Sequence, residues 1–317
     1  MSANGSRVVS VGHYQPEKVL TNADLAAMVD TNDEWIVSRV GIKERRIASD
    51  DEKVADMAIK AAEQALANSG YGPADIDMVV VATVSAKDTC PNTACRVADA
   101  LGVATPAAID VNTACSGFEY ALAQADMAIR VGSAKRAIVI GAEKLTAVTD
   151  WEDRTSCVLF GDAAGAVIVE GTDDPALAIS PVVWGSEPSM SDVIRIEEDV
   201  PFIKQAGQTV FRWATTQLAP LVEKVAERAD VKISELAAFV PHQANLRIIQ
   251  GIAKRLDFGD DCIIADDIVY SGNTSAASVP LALSKLVQTG KIASGAPILL
   301  FGFGGGLTYA GQVIRCP

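Results

Sequence analysis

The sequence predicts a duplicated α/β protein, folded as a five-layered α/β/α/β/α sandwich. Three observations predict it. Strand-length apolar runs alternate with helix-periodic stretches along most of the 317 residues. The second half repeats the first: "ACSGFEYALAQADMAIRVG" (114–132) aligns without a gap on "GNTSAASVPLALSKLVQTG" (272–290). The offset is 158 at the cysteine (273 − 115) and at the closing glycine (290 − 132), close to half the chain. "DIDMVVVA" (75–82) falls on "SELAAFVP" (234–241) at nearly the same offset.

In the first copy, strands are expected near 77–83, 107–112 and 136–141, and helices near 91–101 and 116–131. Phe118, Leu122, Ala125 and Ile129 recur at spacings of four, three and four, one buried stripe on the second helix. Gly132 supplies a left-handed cap at its end. The second copy places strands near 236–240, 265–269 and 297–302, with helices near 243–255 and 275–289. Strands and helices alternating at this spacing predict parallel sheets covered by helices. The stretch "LFGDAAGAVIVEG" (159–171) reads as a turn entering a strand. Residues of about 172–210, rich in Pro, Gly, Ser and charge, read as a connecting insertion. The halves are then 1–171 and 172–317.

Bulk composition narrows the function. The net charge of −13 argues against a nucleic-acid binder, which needs a basic surface, and against an anionic membrane surface. "MVVVA" (78–82) and "PILLF" (297–301) are core-strand length, far short of the roughly 20 residues of a membrane span. The N-terminus lacks the charged and apolar regions of a signal peptide. Six scattered cysteines without CxxC pairs suggest reduced thiols and a cytoplasmic protein.

Three polar groups arrive at strand ends, where open parallel sheets hold their ligands: Cys115, His242 in "VPHQAN" and Asn273 in "YSGNTSAAS". The alignment makes Cys115 and Asn273 equivalent positions, so pseudo-twofold symmetry would gather all three at the seam between the halves. A thiol at a helix N-terminus meets unpaired N–H groups and the positive helix end, which lower its pKa. A buried structural cysteine is the plainer alternative, and His242 tips the balance toward chemistry. The chain has only two histidines, and the other, His13, sits by an N-terminal strand where a structural role fits better. Asn273 can donate to a developing oxyanion, although turn asparagines are common. The glycine-rich "FGFGGGL" (301–307) does not fit a dinucleotide motif, but it lets backbone N–H groups approach a reacting atom.

Taken together, these pieces resemble β-ketoacyl-[acyl-carrier-protein] synthase III, the initiating condensing enzyme of fatty-acid synthesis, in the thiolase superfamily. The resemblance spans the whole chain through "TNDEWIVSRVGIKERR" (31–46), "ACSGF", "DRTSCVLFGDAAGA" (153–166), "PHQANLRII" (241–249), "GNTSAAS" and "FGFGGGLTYAG" (301–311). It implies a thiolase-like fold and an acyltransferase that needs no metal or cofactor. Cys115 would accept an acyl group from acyl-CoA, and malonyl-ACP would then decarboxylate and condense with it. His242 and Asn273 would stabilise the enolate, the N–H groups of Cys115 and Gly305 would form the oxyanion hole, and Phe303 would pack against the cysteine and histidine. Trp35 and Arg154 match the pair that sandwiches the CoA adenine, with Thr31 a weaker contact. Arg212, Arg247, Lys254 and Arg255 match positions that dock the acidic carrier protein; Arg247, Lys254 and Arg255 would share one face of the 243–255 helix. The family is homodimeric, and Cys90 in "DTCPNT" stands where some members carry a bulky aromatic in a loop reaching the partner's acyl pocket. A smaller side chain there leaves room for branched or longer primers.

Two other activities remain compatible with the same residues. One is a priming ketosynthase or acyltransferase of a polyketide or lipopeptide pathway. The other, of a different class, is a cysteine hydrolase, because Cys, His and Asn occur in that order in papain-like enzymes. "TACSGFEY" differs from the papain-like signature, and the duplicated pattern fits poorly. A non-catalytic acyl-CoA-binding protein would have no need of all three groups.

Overall fold

The computed structural model describes residues 3–197 and 199–317. Two five-stranded sheets form the frame. The first runs, edge to edge, Gly5–Tyr14, Asp162–Thr172, Arg136–Lys144, Met78–Ala82 and Ala107–Val111. The second runs Ile263–Ile264, Ala238–Pro241, Pro297–Gly304, Thr308–Arg315 and Val183–Ser186.

Period-two alternation explains the layering. In the first sheet Met78, Val80 and Ala82 face the central core, while Val79 and Val81 face an outer one. The outer core is closed by the helices Val54–Ser69 and Thr93–Leu101. The central core packs Gly117–Arg130 and Ser278–Gln288 between the sheets; it contains Phe118, Leu122, Ala125 and Ile129, the predicted stripe. On the far side, Leu299 and Phe301 meet Leu218 and Val222 of the helix Gly207–Arg228 and Ile248 and Ile252 of Leu246–Ala253. Five layers result, as the sequence predicts.

Several local expectations differ from the structure. The sheets are mixed, not parallel: the inner strands pair in parallel, but Asp162–Thr172 and Thr308–Arg315 run antiparallel to their neighbours. The expected strand 265–269 is instead the two-residue Ile263–Ile264, followed by a short helix Ile268–Ser271. The Gln243 side chain accepts the Ile268 N–H at 3.0 Å, removing a donor that a longer ladder would need. The segment 172–210 is more than a connection, since Val183–Ser186 completes the second sheet and Ile194–Glu197 pairs with Val200–Gln205.

The duplication is real but its register is not the ungapped one. Ala114 and Ser275, non-glycine residues at φ 48° and 47°, each open a 3-10 turn before a central helix, at an offset of 161 (275 − 114). The helices following them have 14 and 11 residues, so matching their closing glycines, Gly132 and Gly290, displaces their starts by three. Asn273 therefore corresponds to Asn112, and Cys115 to Ala276. Both asparagines accept the N–H two residues on, Ala114 at 3.3 Å and Ser275 at 2.9 Å. The shared dipeptide Asn-Thr at 112–113 and 273–274 is the sequence signal for this register.

The halves meet by close approach of backbone at two matching glycines. A Cβ on Gly141 would lie 2.2 Å from the Ala276 carbonyl oxygen, and one on Gly302 would lie 2.8 Å from the Ser116 Cα. Each sheet thus leaves a side-chain-free slot for the turn of the other half. This seats both turns at the seam.

Candidate active site

Cys115, His242, Asn273, Phe303 and Gly305 line one cavity of about 710 Å³. Ile194, Ile196, Ile203 and Phe211 supply much of its apolar wall, and Arg39, Arg195, Arg212 and Arg247 also line it.

Cys115 sits in the turn Ala114–Ser116, directly before the helix Gly117–Arg130. The turn's hydrogen bonds begin at the Ser116 N–H, leaving the Cys115 N–H ahead of them. The helix position does not lower the thiol as expected. Burial pushes it up to about 12, with Ser275 beside it easing the rise and the carboxyls of Glu143 and Glu119 adding to it. Desolvation of the thiolate outweighs the helix end.

His242 follows the strand Ala238–Pro241 and is 2% exposed. Its Nδ1 lies 2.7 Å from Ser278 Oγ. That oxygen accepts the Gln243 N–H at 3.2 Å, so its own proton is free to go to Nδ1. The network assigns the remaining proton to Nε2, which makes that nitrogen a donor. Burial pulls the imidazole down to about 3, so it is neutral at physiological pH. Phe303 packs edge-on against it, centroids 5.1 Å apart.

Asn273 is held by main chain on both sides: its N–H donates to Leu159 O at 2.8 Å, and its carbonyl accepts from Gly161 at 3.0 Å. Its Oδ1 takes the Ser275 N–H, which leaves the amide NH₂ as the free end. Arg45, fully buried, donates to Val158 O at 2.8 Å and to Leu20 O and Asn22 Oδ1, bracing the same loop. Burial lowers its guanidinium to about 10, so it remains a cation.

Sequence reasoning missed several participants. Gly304 is the closest neighbour of the cysteine: a Cβ there would lie 2.6 Å from the Cys115 Cβ and 3.1 Å from its sulfur. Ser275 also lines the cavity, with a buried hydroxyl that has no hydrogen-bond partner. Glu143 and Glu119 lie wholly buried nearby. A buried glutamate has no signal in periodicity, because the pattern marks only apolar faces.

The other predicted residues lie farther out. Trp35 and Arg154 face each other, the guanidinium carbon 5.5 Å from the ring centroid, but neither lines the cavity. The Thr31 hydroxyl is buried without a partner. Arg212 and Arg247 are exposed cavity-lining residues, and Arg247 covers the Phe211 ring at 5.2 Å. Lys254 and Arg255 are exposed but do not line the cavity. The helix ends at Ala253, so the shared face holds for Arg247 and Lys254, seven residues apart, and not for Arg255. Cys90 is exposed and does not line this cavity. His13 bonds Ser284 at 2.9 Å, outside the cavity.

The chain matches the description 3-oxoacyl-[acyl-carrier-protein] synthase III over residues 109–188 and its C-terminal counterpart over 226–316. It is 57% identical to β-ketoacyl-[acyl-carrier-protein] synthase III 2 of Streptomyces avermitilis, covering 99% of this chain and 100% of that protein. It is 44% identical to β-ketoacyl-[acyl-carrier-protein] synthase III 1 of Vibrio parahaemolyticus, covering 98% and 99%. Among solved structures, the priming β-ketosynthase of the R1128 polyketide pathway matches with a TM-score of 0.96 at 38% identity, covering 100% of this chain and 97% of that one. The Aquifex aeolicus 3-oxoacyl-[acyl-carrier-protein] synthase III matches with a TM-score of 0.93 at 40% identity, covering 98% and 100%. A duplicated thiolase-type sandwich, a cavity at its seam and relatives aligned end to end lead to one conclusion: this chain belongs to the 3-oxoacyl-[acyl-carrier-protein] synthase III family of condensing acyltransferases.

Proposed function

We propose that this protein condenses an acyl-CoA primer with malonyl-ACP to initiate fatty-acid synthesis. The observation that carries this reading is the meeting of a thiol and two neutral hydrogen-bond donors, His242 and Asn273, in one cavity. The Cys115 sulfur attacks the primer thioester, with the oxyanion held by the N–H groups of Cys115 and Gly305, and the CoA thiolate leaves. Malonyl-ACP then binds with its thioester oxygen toward His242 Nε2–H and the Asn273 amide. Its carbon–carboxylate bond breaks, carbon dioxide departs, and the electron pair becomes the enolate those donors stabilise. The carbanion attacks the acyl-cysteine, expels the thiolate and leaves as β-ketoacyl-ACP. Donors that are uncharged before decarboxylation suit this step, because a facing carboxylate would repel the enolate.

Trp35, Arg154 and Thr31 hold the CoA nucleotide outside the cavity, with the arginine stacking over the indole. Arg212, Arg247, Lys254 and Arg255 form the local basic surface that attracts an acidic carrier to a chain of net charge −13. Functionally the chain divides into 1–171, carrying the nucleophile, and 172–317, carrying the donors. It works as a cytoplasmic homodimer in which the exposed Cys90 loop reaches the partner's primer pocket; six free cysteines suit a reducing compartment. Among the described residues no helix is long and apolar enough to cross a membrane.

A second reading, a priming ketosynthase of a polyketide pathway, is favoured by the structural match to the R1128 enzyme. Intact-mass spectrometry with a panel of acyl-CoAs, then malonyl-ACP, separates the possibilities, with Cys115→Ala as control. An adduct confined to Cys115 that leaves as β-ketoacyl-ACP supports condensation, and the preferred primer and carrier assign the pathway. An adduct lost to water overturns it in favour of a hydrolase.

A further inference from the structure

We propose that Ser275 and Glu143 form the proton relay that turns the Cys115 thiol into a nucleophile. This rests on the reading of Cys115 as the acyl acceptor. His242 is poorly suited to be the base, because the network around Ser278 places a proton on Nε2. Another acceptor is needed, and the cavity contains one.

Ser275 is 2% exposed, lines the cavity, and has a hydroxyl without a partner. It is the side chain that the Cys115 thiol and the Glu143 carboxyl share as a neighbour. Glu143 itself is asymmetrically satisfied. One oxygen accepts from Thr83 Oγ1 at 3.2 Å, Val84 N at 3.1 Å, Ser85 N at 3.1 Å and the Ser85 hydroxyl. The other receives only a long bond from Val84 N at 3.3 Å, leaving it able to accept from Ser275. A carboxyl surrounded by donors is held as the acceptor-only carboxylate.

The groups that bear on this chain of atoms are few. Glu119 adds a second carboxyl near the thiol, and neutral His242 lines the same cavity. The neighbouring Lys144 ammonium is turned away, bound to the carbonyls of Ser49, Asp50 and Glu52.

The step balances as follows. The S–H bond breaks as the sulfur electron pair forms a bond to the thioester carbon. The thiol proton passes to Ser275 Oγ, whose own proton passes to Glu143. The departing CoA thiolate takes up that proton, and the carboxylate is restored. One negative charge moves through a dry cavity and none is created, which avoids the cost of burying a second anion. The hydroxyl is loosely placed in the free chain, and catalytic hydrogen bonds of this kind tighten when substrate binds.

The test measures single-turnover acylation by acetyl-CoA and isobutyryl-CoA, and alkylation by iodoacetamide, from pH 6 to 9, for the unaltered chain, Ser275→Ala and Glu143→Gln. Alanine is tolerated at this backbone conformation, as Ala114 shows at φ 48°. Glutamine keeps the crowded acceptor oxygen and replaces the other. Each variant should slow acylation about 100-fold near neutrality. Its rate should climb with pH where the unaltered chain is flat, and the double variant should be no slower than either single one. A faster alkylation in Glu143→Gln would overturn the relay, since the carboxylate would then merely oppose the thiolate. Pooled rates and pH profiles equal to the unaltered chain would overturn it too. If the unaltered chain takes no acyl group while alkylation still depends on both residues, the relay stands and the condensing reading falls.

Discussion

Gly304 and Cys115 touch with no room for a side chain between them: a Cβ on Gly304 would stand 2.6 Å from the Cys115 Cβ and 2.9 Å from its backbone nitrogen. The nucleophile of one half is therefore seated on the bare strand end of the other. Gly304→Ala must push the cysteine, or the strand that carries Phe303, out of place. We expect acylation of Cys115 to fall about 100-fold, the cost of displacing reacting groups by roughly 1 Å. Intact-mass kinetics with acyl-CoA would show it, and a variant acylated at the normal rate would refute the seating argument.

The two seam glycines make a paired prediction. A Cβ on Gly141 meets the Ala276 carbonyl, and one on Gly302 meets the Ser116 backbone and the Glu119 carboxyl. Gly141→Ala and Gly302→Ala should each destabilise the fold by roughly 1–3 kcal/mol, as overpacking does. Urea midpoints measure this. Equal midpoints for variant and unaltered chains would mean that the halves can separate without cost.

Glu119 carries both carboxyl oxygens buried and unpartnered, one helical turn after Cys115. Burial raises its pKa well above the ordinary value. The sign follows from linkage: the unfolded carboxyl ionises above about 4.5 and the folded one does not, so the unfolded state gains with rising pH. Glu119→Gln removes this loss. Its thermal midpoint should match the unaltered chain near pH 4.5 and exceed it increasingly toward pH 8. A constant difference across that range would show that ionisation plays no part.

His242 carries the opposite sign. Its folded pKa of about 3 lies below the unfolded 6.5, so its contribution is present above 6.5 and is lost as pH falls toward 3. The His242 ring resonances should not titrate between pH 5 and 8, and kcat/KM should show no inflection near 6.5. A His242 transition at 6.5 would show an imidazole that is far more hydrated than this cavity allows.

Trp35 and Arg154 stand outside the cavity, so their role should appear in binding. Trp35→Ala should raise KM for acyl-CoA about tenfold, the loss of roughly 1–3 kcal/mol of base stacking, with kcat little changed. The Arg154–Asp30 pair at 3.1 Å involves a fully exposed carboxylate, so Asp30→Ala should be nearly silent. Loss of kcat in Trp35→Ala would place the residue in the chemistry.

The sequence by itself determined the layers, the duplication and the group of residues at the cavity. Apolar period is a local property: the 118–129 stripe, the strand alternation and the strand-end positions of Cys115, His242 and Asn273 follow from it. Only the tertiary structure decided the register of the duplication, because three residues were lost at one helix start and the closing glycines hid the gap. It also decided the antiparallel strands at 162–172 and 308–315, since strand direction depends on which neighbour a segment finds. The ionisation of the site was illegible for the same reason. A helix N-terminus predicts an acidified thiol, but burial and two carboxyls from distant parts of the chain push it the other way. Desolvation is set by what surrounds a group in space, and no stretch of sequence records it.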